Sequence, residues 1–319
     1  MLQKIALANL RSLRPRLVQQ HSTMFHQARS FSSIPKLIQQ LRKTTGAPMM
    51  ECKKALNAVD NDYEKATEWL RKNGSAKAAS KLAGRDASEG LVGISINNED
   101  GKSSLVKIAS ETDFASRSKD FQRLVEIVSV GALKEPNVDE LLNVETDGKT
   151  VQDSLNDAIL AIRENLQIAS VETITASSQD SVLAGYVHGK VVNDSDTGSA
   201  ACIVELLPKN SKLSREEIAE VGKKLAMHAV AAKPLYQSPE FVPEEEVERE
   251  KAILLDQMED SGKPKEILEK IILGRMRKYY EGICLTEQAH MLEEGNPKVS
   301  KALTAVGLEL VQFRSTSIS

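Results

Sequence analysis

Apolar residues near the start of the chain recur at steps of three or four. In residues 36–74, "KLIQQLRKTTGAPMMECKKALNAVDNDYEKATEWLRKNG", Leu37 and Leu41 form one such set, Cys52, Leu56 and Val59 a second, and Ala66, Trp69 and Leu70 a third. Each set gives a short helix one apolar face, so the segment predicts a three-helix bundle. Gly46 and Gly74 suit helix ends, and Pro48 suits the first turn of the second helix. Met49 and Met50 are neighbours on that helix and cannot share one face, so one of the two is expected to point out of the core, and methionine adapts well to a partner surface. The competing expectation is that both fill gaps in the bundle.

A connector of small and basic residues, 75–89, leads to a segment with period two. "LVGISIN", the turn "NEDGK" and "SSLVKIAS" predict a β-hairpin closed at Asp100-Gly101. After the loop "ETDFASRSKD" come helices over about 119–134 and 150–166 and a strand at "SVETITAS", which completes a unit over 90–178. A similar order returns over 179–243 and 282–315. "SVLAGYVHGKVV" and "AACIVELLP" form a second hairpin, a helix opens at a Ser214–Glu217 capping box, and a last strand fits "LELVQFRS". The pattern predicts an internally duplicated α+β core in which each antiparallel sheet has one face to cover. Residues 244–281 interrupt the second copy with two helical segments around Ser261-Gly262-Lys263-Pro264, a helical hairpin.

The first 32 residues differ from all of this. They carry Lys4, Arg11, Arg14, Arg16 and Arg29 but no acid, and Leu10, Leu13 and Leu17 fall at helical spacing. That profile predicts a mitochondrial transit peptide over 1–32. Its removal would take the formal net charge from −3 to −8, since five basic residues and no acid would leave. An acidic mature chain argues against a nucleic-acid partner. No apolar run approaches the roughly 20 residues of a membrane helix. Cys52, Cys202 and Cys284 fit no metal-ligand spacing.

Candidate chemistry is sparse. Gly101-Lys102-Ser103 suggests a phosphate loop, but the motif requires glycine where the chain has Ile96. None of the five histidines sits in a metalloprotease or nucleophile motif. From spacing alone His228 reads as a packed or solvated residue, and Asp113 and Phe114 as a helix cap and a hydrophobic staple.

"LRKTTGAPMMECKKAL" (41–56) and "ETDFASRSKDF" (111–121) closely resemble the two signature segments of the translation elongation factor Ts family. "AGYVHGKVV", "LAMHAVAAKPLY" and "SGKPKEILEKIILGRMRKYYEG" resemble its later segments, in the same order. Pro48 and Ala115 depart from the family pattern, which has a small residue and commonly a valine there. The resemblance implies a non-catalytic guanine nucleotide exchange factor for elongation factor Tu, and with the presequence a mitochondrial one, acting in the matrix. It implies a ubiquitin-associated-like three-helix domain before the duplicated core. Leu41, Met49 and Met50 match residues that dock on Tu, Asp113 and Phe114 match a pair that wedges beside its nucleotide and magnesium site, and His228 matches a histidine supporting that contact. No cofactor, metal, direct nucleotide, nucleic-acid or membrane binding is implied.

Overall fold

In the computed structural model, residues 34–82, 84–258 and 265–318 are described. The presequence and the Ser261–Pro264 turn lie outside the described residues. Helices α1 (Ile34–Thr45), α2 (Met49–Ala58) and α3 (Tyr63–Leu82) form the bundle. Leu41, Cys52, Ala55, Leu56 and Ala66 are its fully buried centre. Gly46 closes α1 at φ +68°, a backbone conformation that a Cβ would strain. Gly74 does not close α3, which continues into the expected connector as far as Leu82. The alanine-rich stretch after Gly74 favours helix, α3 packs along a helix of the core, and Leu82 enters the core itself.

The first half of the core continues with β1 (Glu89–Asn97), β2 (Lys102–Ser110), α4 (Asp113–Ser116), α5 (Lys119–Ala132), α6 (Val138–Leu141), the short pair β3 (Glu145–Thr146) and β4 (Lys149–Thr150), α7 (Val151–Ile162) and β5 (Gln167–Thr175). The second half contains β6 (Val182–His188), β7 (Thr197–Gly198), β8 (Ala200–Pro208), α8 (Arg215–Ala232), α9 (Glu244–Asp256), α10 (Lys265–Ile283), α11 (Val299–Ala305) and β9 (Leu308–Ser317). The sheets are ordered β5-β2-β1-β7 and β6-β8-β9. In both halves the second hairpin strand lies between the first strand and the closing strand, all antiparallel. The exception to this separation is β7, a piece of the second hairpin's loop that pairs with β1, Val92 opposite Gly198.

Each sheet is covered on both faces, not on one. Leu91, Val106 and Ile108 face α5 and α7, whereas Val92, Ile94, Leu105 and Ile174 face the other sheet and meet Leu183, Val187, Ala201 and Ile203 there. Cys202, Val204 and Leu206 turn the other way, onto α8 and α11. The layers are therefore helix, sheet, sheet, helix, and the near-continuous apolar runs of β1 and β8 follow from burial on both sides. The layers approach closely at glycines: a Cβ added to Gly222 of α8 would lie 2.6 Å from Ala184 Cβ, and one on Gly185 2.8 Å from Ile94 Cδ1.

The α9–α10 hairpin packs on itself by a narrow seam. Leu254, Met258 and Met276 are buried, while Ile253, Leu255, Ile267 and Leu273 stay exposed. Lys298 ties its base to the core by pairing with Glu287 at 2.6 Å and with Glu281 at 3.2 Å.

Glu205 of β8 carries a fully buried carboxylate beside the join between the sheets. Oε1 accepts from the Ser177 amide and hydroxyl, each at 2.6 Å, and Oε2 accepts from Gln312 Nε2 at 2.7 Å. Burial alone would raise its pKa, but the hydrogen bonds from Ser177 and Gln312 outweigh that and hold it below the ordinary 4.5. The folded carboxyl thus binds fewer protons than the unfolded one, so its contribution is complete above pH 4.5 and is lost as pH falls below that value. Glu205→Ala, which removes the acceptor of three partly buried hydrogen bonds, is expected to lower stability by about 1–3 kcal/mol at neutral pH, and urea titration at descending pH should show the difference shrinking in the acid range.

Candidate partner-docking site

The loop after β2 is a short, heavily braced turn. Thr112 has extended backbone and caps α4, its Oγ1 accepting from the Ala115 amide at 3.3 Å. Ser118 caps α5 in the same way, accepting from the Phe121 amide at 3.2 Å. Ser116 Oγ donates to the Asp113 carbonyl and Ser118 Oγ to the Ala115 carbonyl, so every hydroxyl of the turn is engaged. Ala115 and Ser116 face inward and are buried, and Phe121 anchors the following helix with no exposure at all. The position where the family commonly has valine is thus a packed one, occupied here by Ala115.

Phe114 points the opposite way and is 78% exposed. It is not a staple, and Asp113 is not the cap: Thr112 takes that role, and Asp113 instead pairs with Arg117 at 3.0 Å. Burying a phenylalanine is worth about 1.5–3 kcal/mol, and this turn forgoes it. A rigid backbone that holds an aromatic ring in water is an arrangement for contact with another molecule.

Two acids hold the turn from beneath. Glu164 accepts from Thr112 twice, Oε1 from Oγ1 at 2.7 Å and Oε2 from the amide at 3.0 Å. Glu111 Oε1 accepts from the Asn165 amide at 2.7 Å, and Asn165 Nδ2 donates to the Arg85 carbonyl at 2.8 Å. Arg163 Nη2 reaches the bundle, donating to the Gly46 carbonyl at 2.8 Å. Sequence periodicity placed residues 163–165 inside a helix. The helix in fact ends at Ile162, and Arg163 adopts the left-handed conformation at φ 66° that turns the next residues away from the axis. No motif marks these residues, because their partners lie far away along the chain.

Met49 and Met50 are both exposed, at 58% and 61%, where one was expected inward. The buried face of α2 consists of Cys52, Ala55 and Leu56, so its first turn projects past the bundle core. Leu41 has no exposed surface and belongs to the core of the bundle, so it is not a surface docking residue in the free chain. Pro48 directly precedes α2 as its cap residue.

His228 is also internal. Its Nδ1 accepts from the Met291 amide at 3.4 Å, which places the proton on Nε2, and Nε2 donates to Gln288 Oε1 at 3.2 Å. The His290 ring lies 5.1 Å away. Burial lowers the pKa of both rings, and for His290 the neighbouring His228 and Lys224 act in the same direction against Glu293. The neutral pair supports a loop that exposes Met291 and Leu292.

Among the described residues no group of three or more His, Cys, Asp or Glu side chains is placed to hold a metal ion. All three cysteines are buried, and desolvation raises each thiol pKa, that of Cys284 to about 11, so they remain protonated.

Comparison with known proteins agrees with this architecture. A family model described as "Elongation factor TS" matches residues 111–318, and one described as "Elongation factor Ts, mitochondrial, N-terminal" matches residues 21–79. The chain is similar to elongation factor Ts of Paramagnetospirillum magneticum, 40% identical over 86% of this chain and 85% of the relative. Similar proteins of the same description occur in Parvibaculum lavamentivorans, at 39% identity over 84% and 85%, and in Rhizobium etli, at 38% over 83% of each chain.

Phe114→Ala is expected to change unfolding free energy by less than about 0.5 kcal/mol, because so little of the ring is packed. Phe121→Ala in the same helix pair is expected to cost about 3–5 kcal/mol, and urea denaturation of both distinguishes the two roles. The histidine pair predicts a separate pH dependence. With folded pKa values below the ordinary 6.5, its contribution is complete above pH 6.5 and is lost as pH falls from there. The urea midpoint should therefore fall as pH drops below 6.5, with amide exchange rising first in residues 288–298.

Proposed function

Because the chain belongs to the elongation factor Ts family, we propose that it is the guanine nucleotide exchange factor for mitochondrial elongation factor Tu, acting in the matrix to speed GDP release during translation elongation. The observation that carries this reading is Phe114, 78% exposed on a turn whose backbone is fixed by Thr112, Ser118 and Glu164. The mitochondrial address rests on the acid-free basic segment 1–32 and on the description of the N-terminal family model.

A GTPase holds GDP through backbone amides, a lysine and a magnesium ion that requires near-octahedral coordination. An aromatic ring inserted beside that site displaces the elements that position the metal ligands and the phosphate-binding loop. Phe114 supplies bulk that is already exposed and needs no rearrangement of its own core. Asp113 supplies a carboxylate that leaves its partner Arg117 to engage groups on the GTPase. Met49 and Met50 provide an adaptable apolar contact on the bundle. Leu41 positions their helix from inside the bundle, and His228 positions the loop bearing Met291.

This role requires no bond making or breaking by the chain. Linkage makes the effect reciprocal: whatever factor by which the chain weakens GDP binding, GDP weakens binding of the chain to Tu. Entry of GTP then dissociates the nucleotide-free complex.

The test is release of a fluorescent GDP analogue from mitochondrial Tu. The chain without residues 1–32 is expected to accelerate release, and Phe114→Ala to slow that accelerated rate by about 5- to 150-fold, the range of typical coupling energies. A folded chain that leaves release unchanged sinks the assignment, and a Phe114→Ala variant as fast as the parent sinks the wedge.

A further inference from the structure

The two exposed contact elements, Met49-Met50 and Asp113-Phe114, sit on different modules. The bundle meets the body through packing of α3 on α7. Elsewhere it stands off across a cleft of about 790 Å³, lined by Ala47, Pro48 and Glu51 on one side and by Arg123, Ile127 and Asp157 on the other. Two consecutive residues reach both elements. Arg163 holds the turn before Met49 through the Gly46 carbonyl at 2.8 Å, and Glu164 holds the residue before Asp113 through both polar groups of Thr112.

We infer that Arg163 and Glu164 form a two-armed brace that sets the orientation of the methionine surface relative to the Phe114 wedge, so that both engage one GTPase together. The inference rests on the exchange reading above. The left-handed backbone of Arg163 is what lets its side chain reach the bundle while the next residue serves the wedge turn. An arginine fits the first arm because its guanidinium can satisfy a carbonyl from an exposed position without being deprotonated. A carboxylate fits the second because one group accepts from both Thr112 donors. Joining two contact surfaces at a fixed spacing raises the effective concentration of the second once the first has bound, and that gain vanishes when the geometry is lost.

The arms make separable predictions. In Arg163→Ala, amide hydrogen exchange is expected to rise in residues 44–50 while residues 110–118 keep the parent rate; Glu164→Ala should show the reverse. In GDP release, Arg163→Ala should act mainly on the half-saturating concentration, raising it about fivefold, since what it loses is joint binding. Glu164→Ala should act mainly on the saturating rate, lowering it about tenfold, since it loosens the wedge itself. Arg163→Lys, able to donate one hydrogen bond, should recover most of the half-saturation, and Glu164→Gln should recover part of the rate. Thermal melts confirm that each variant is folded.

The brace is refuted if Arg163→Ala leaves both the 44–50 segment and half-saturation at parent values, or if each variant loosens both segments and shifts both kinetic parameters alike. Amide exchange needs no GTPase. Should the parent chain fail to accelerate GDP release, the proposed function falls, while segment-specific exchange still decides whether the arms hold the two elements separately.

Discussion

The apolar layer between the two sheets is the constraint on which the rest of the molecule depends. Val92, Ile94, Leu105 and Ile174 from one sheet close against Leu183, Val187, Ala201 and Ile203 from the other. Neither half can expose that face to water without losing the burial that sustains it. The β7 segment gives the halves a second reason to stay in register, because it belongs to the second hairpin yet hydrogen-bonds to β1 of the first. Close approach at Gly185 leaves little room for sliding. Glu205 and its three donors sit beside the same join, where a buried charge is tolerated only with its hydrogen bonds complete.

A rigid centre explains how the candidate contact residues can stay exposed. Phe114 contributes little to its own fold, so the turn beneath it must be stabilised by other groups: Ala115 and Phe121 through packing, Thr112 and Ser118 through capping, and Glu164 through charge-assisted bonds. The same division appears around His228, whose neutral ring lies inside while the loop it supports presents Met291 and Leu292. In both places a buried or half-buried polar group fixes backbone, and the backbone presents an apolar side chain to solvent. The bundle shows the arrangement once more, with Leu41 internal and the two methionines outside. Residues grouped by resemblance as one docking set therefore divide by position into those that can touch a partner and those that position them.

Local rules were legible where the interactions are local. The period-two runs became β1, β2, β6 and β8, the Asp100-Gly101 turn has its positive-φ glycine, and the Ser214–Glu217 capping box is present with both hydrogen bonds. Gly46 ended its helix, but the same residue type at Gly74 did not, because tertiary packing along α7 and the burial of Leu82 overrode a local preference. Exposure of Phe114 was not readable from spacing, which served a staple equally well. Resemblance to a family singled out the pair; only the structure distinguishes the outward ring from the inward Leu41.

The sequence by itself determined the order of the main strands and helices, the duplication, the Gly46 helix end, the Ser214–Glu217 capping box and the segments worth attention, since all of these follow from side-chain periodicity and near-neighbour hydrogen bonds. Tertiary structure alone decided that both sheets are covered on both faces, that Glu205 lies buried and hydrogen-bonded to Ser177 and Gln312, and that Arg163 and Glu164 join the bundle turn to the wedge turn. Those features depend on groups distant along the chain. Period and propensity describe what a residue does to its neighbours in sequence, and they carry no record of which remote carbonyl or hydroxyl the fold will bring within 3 Å.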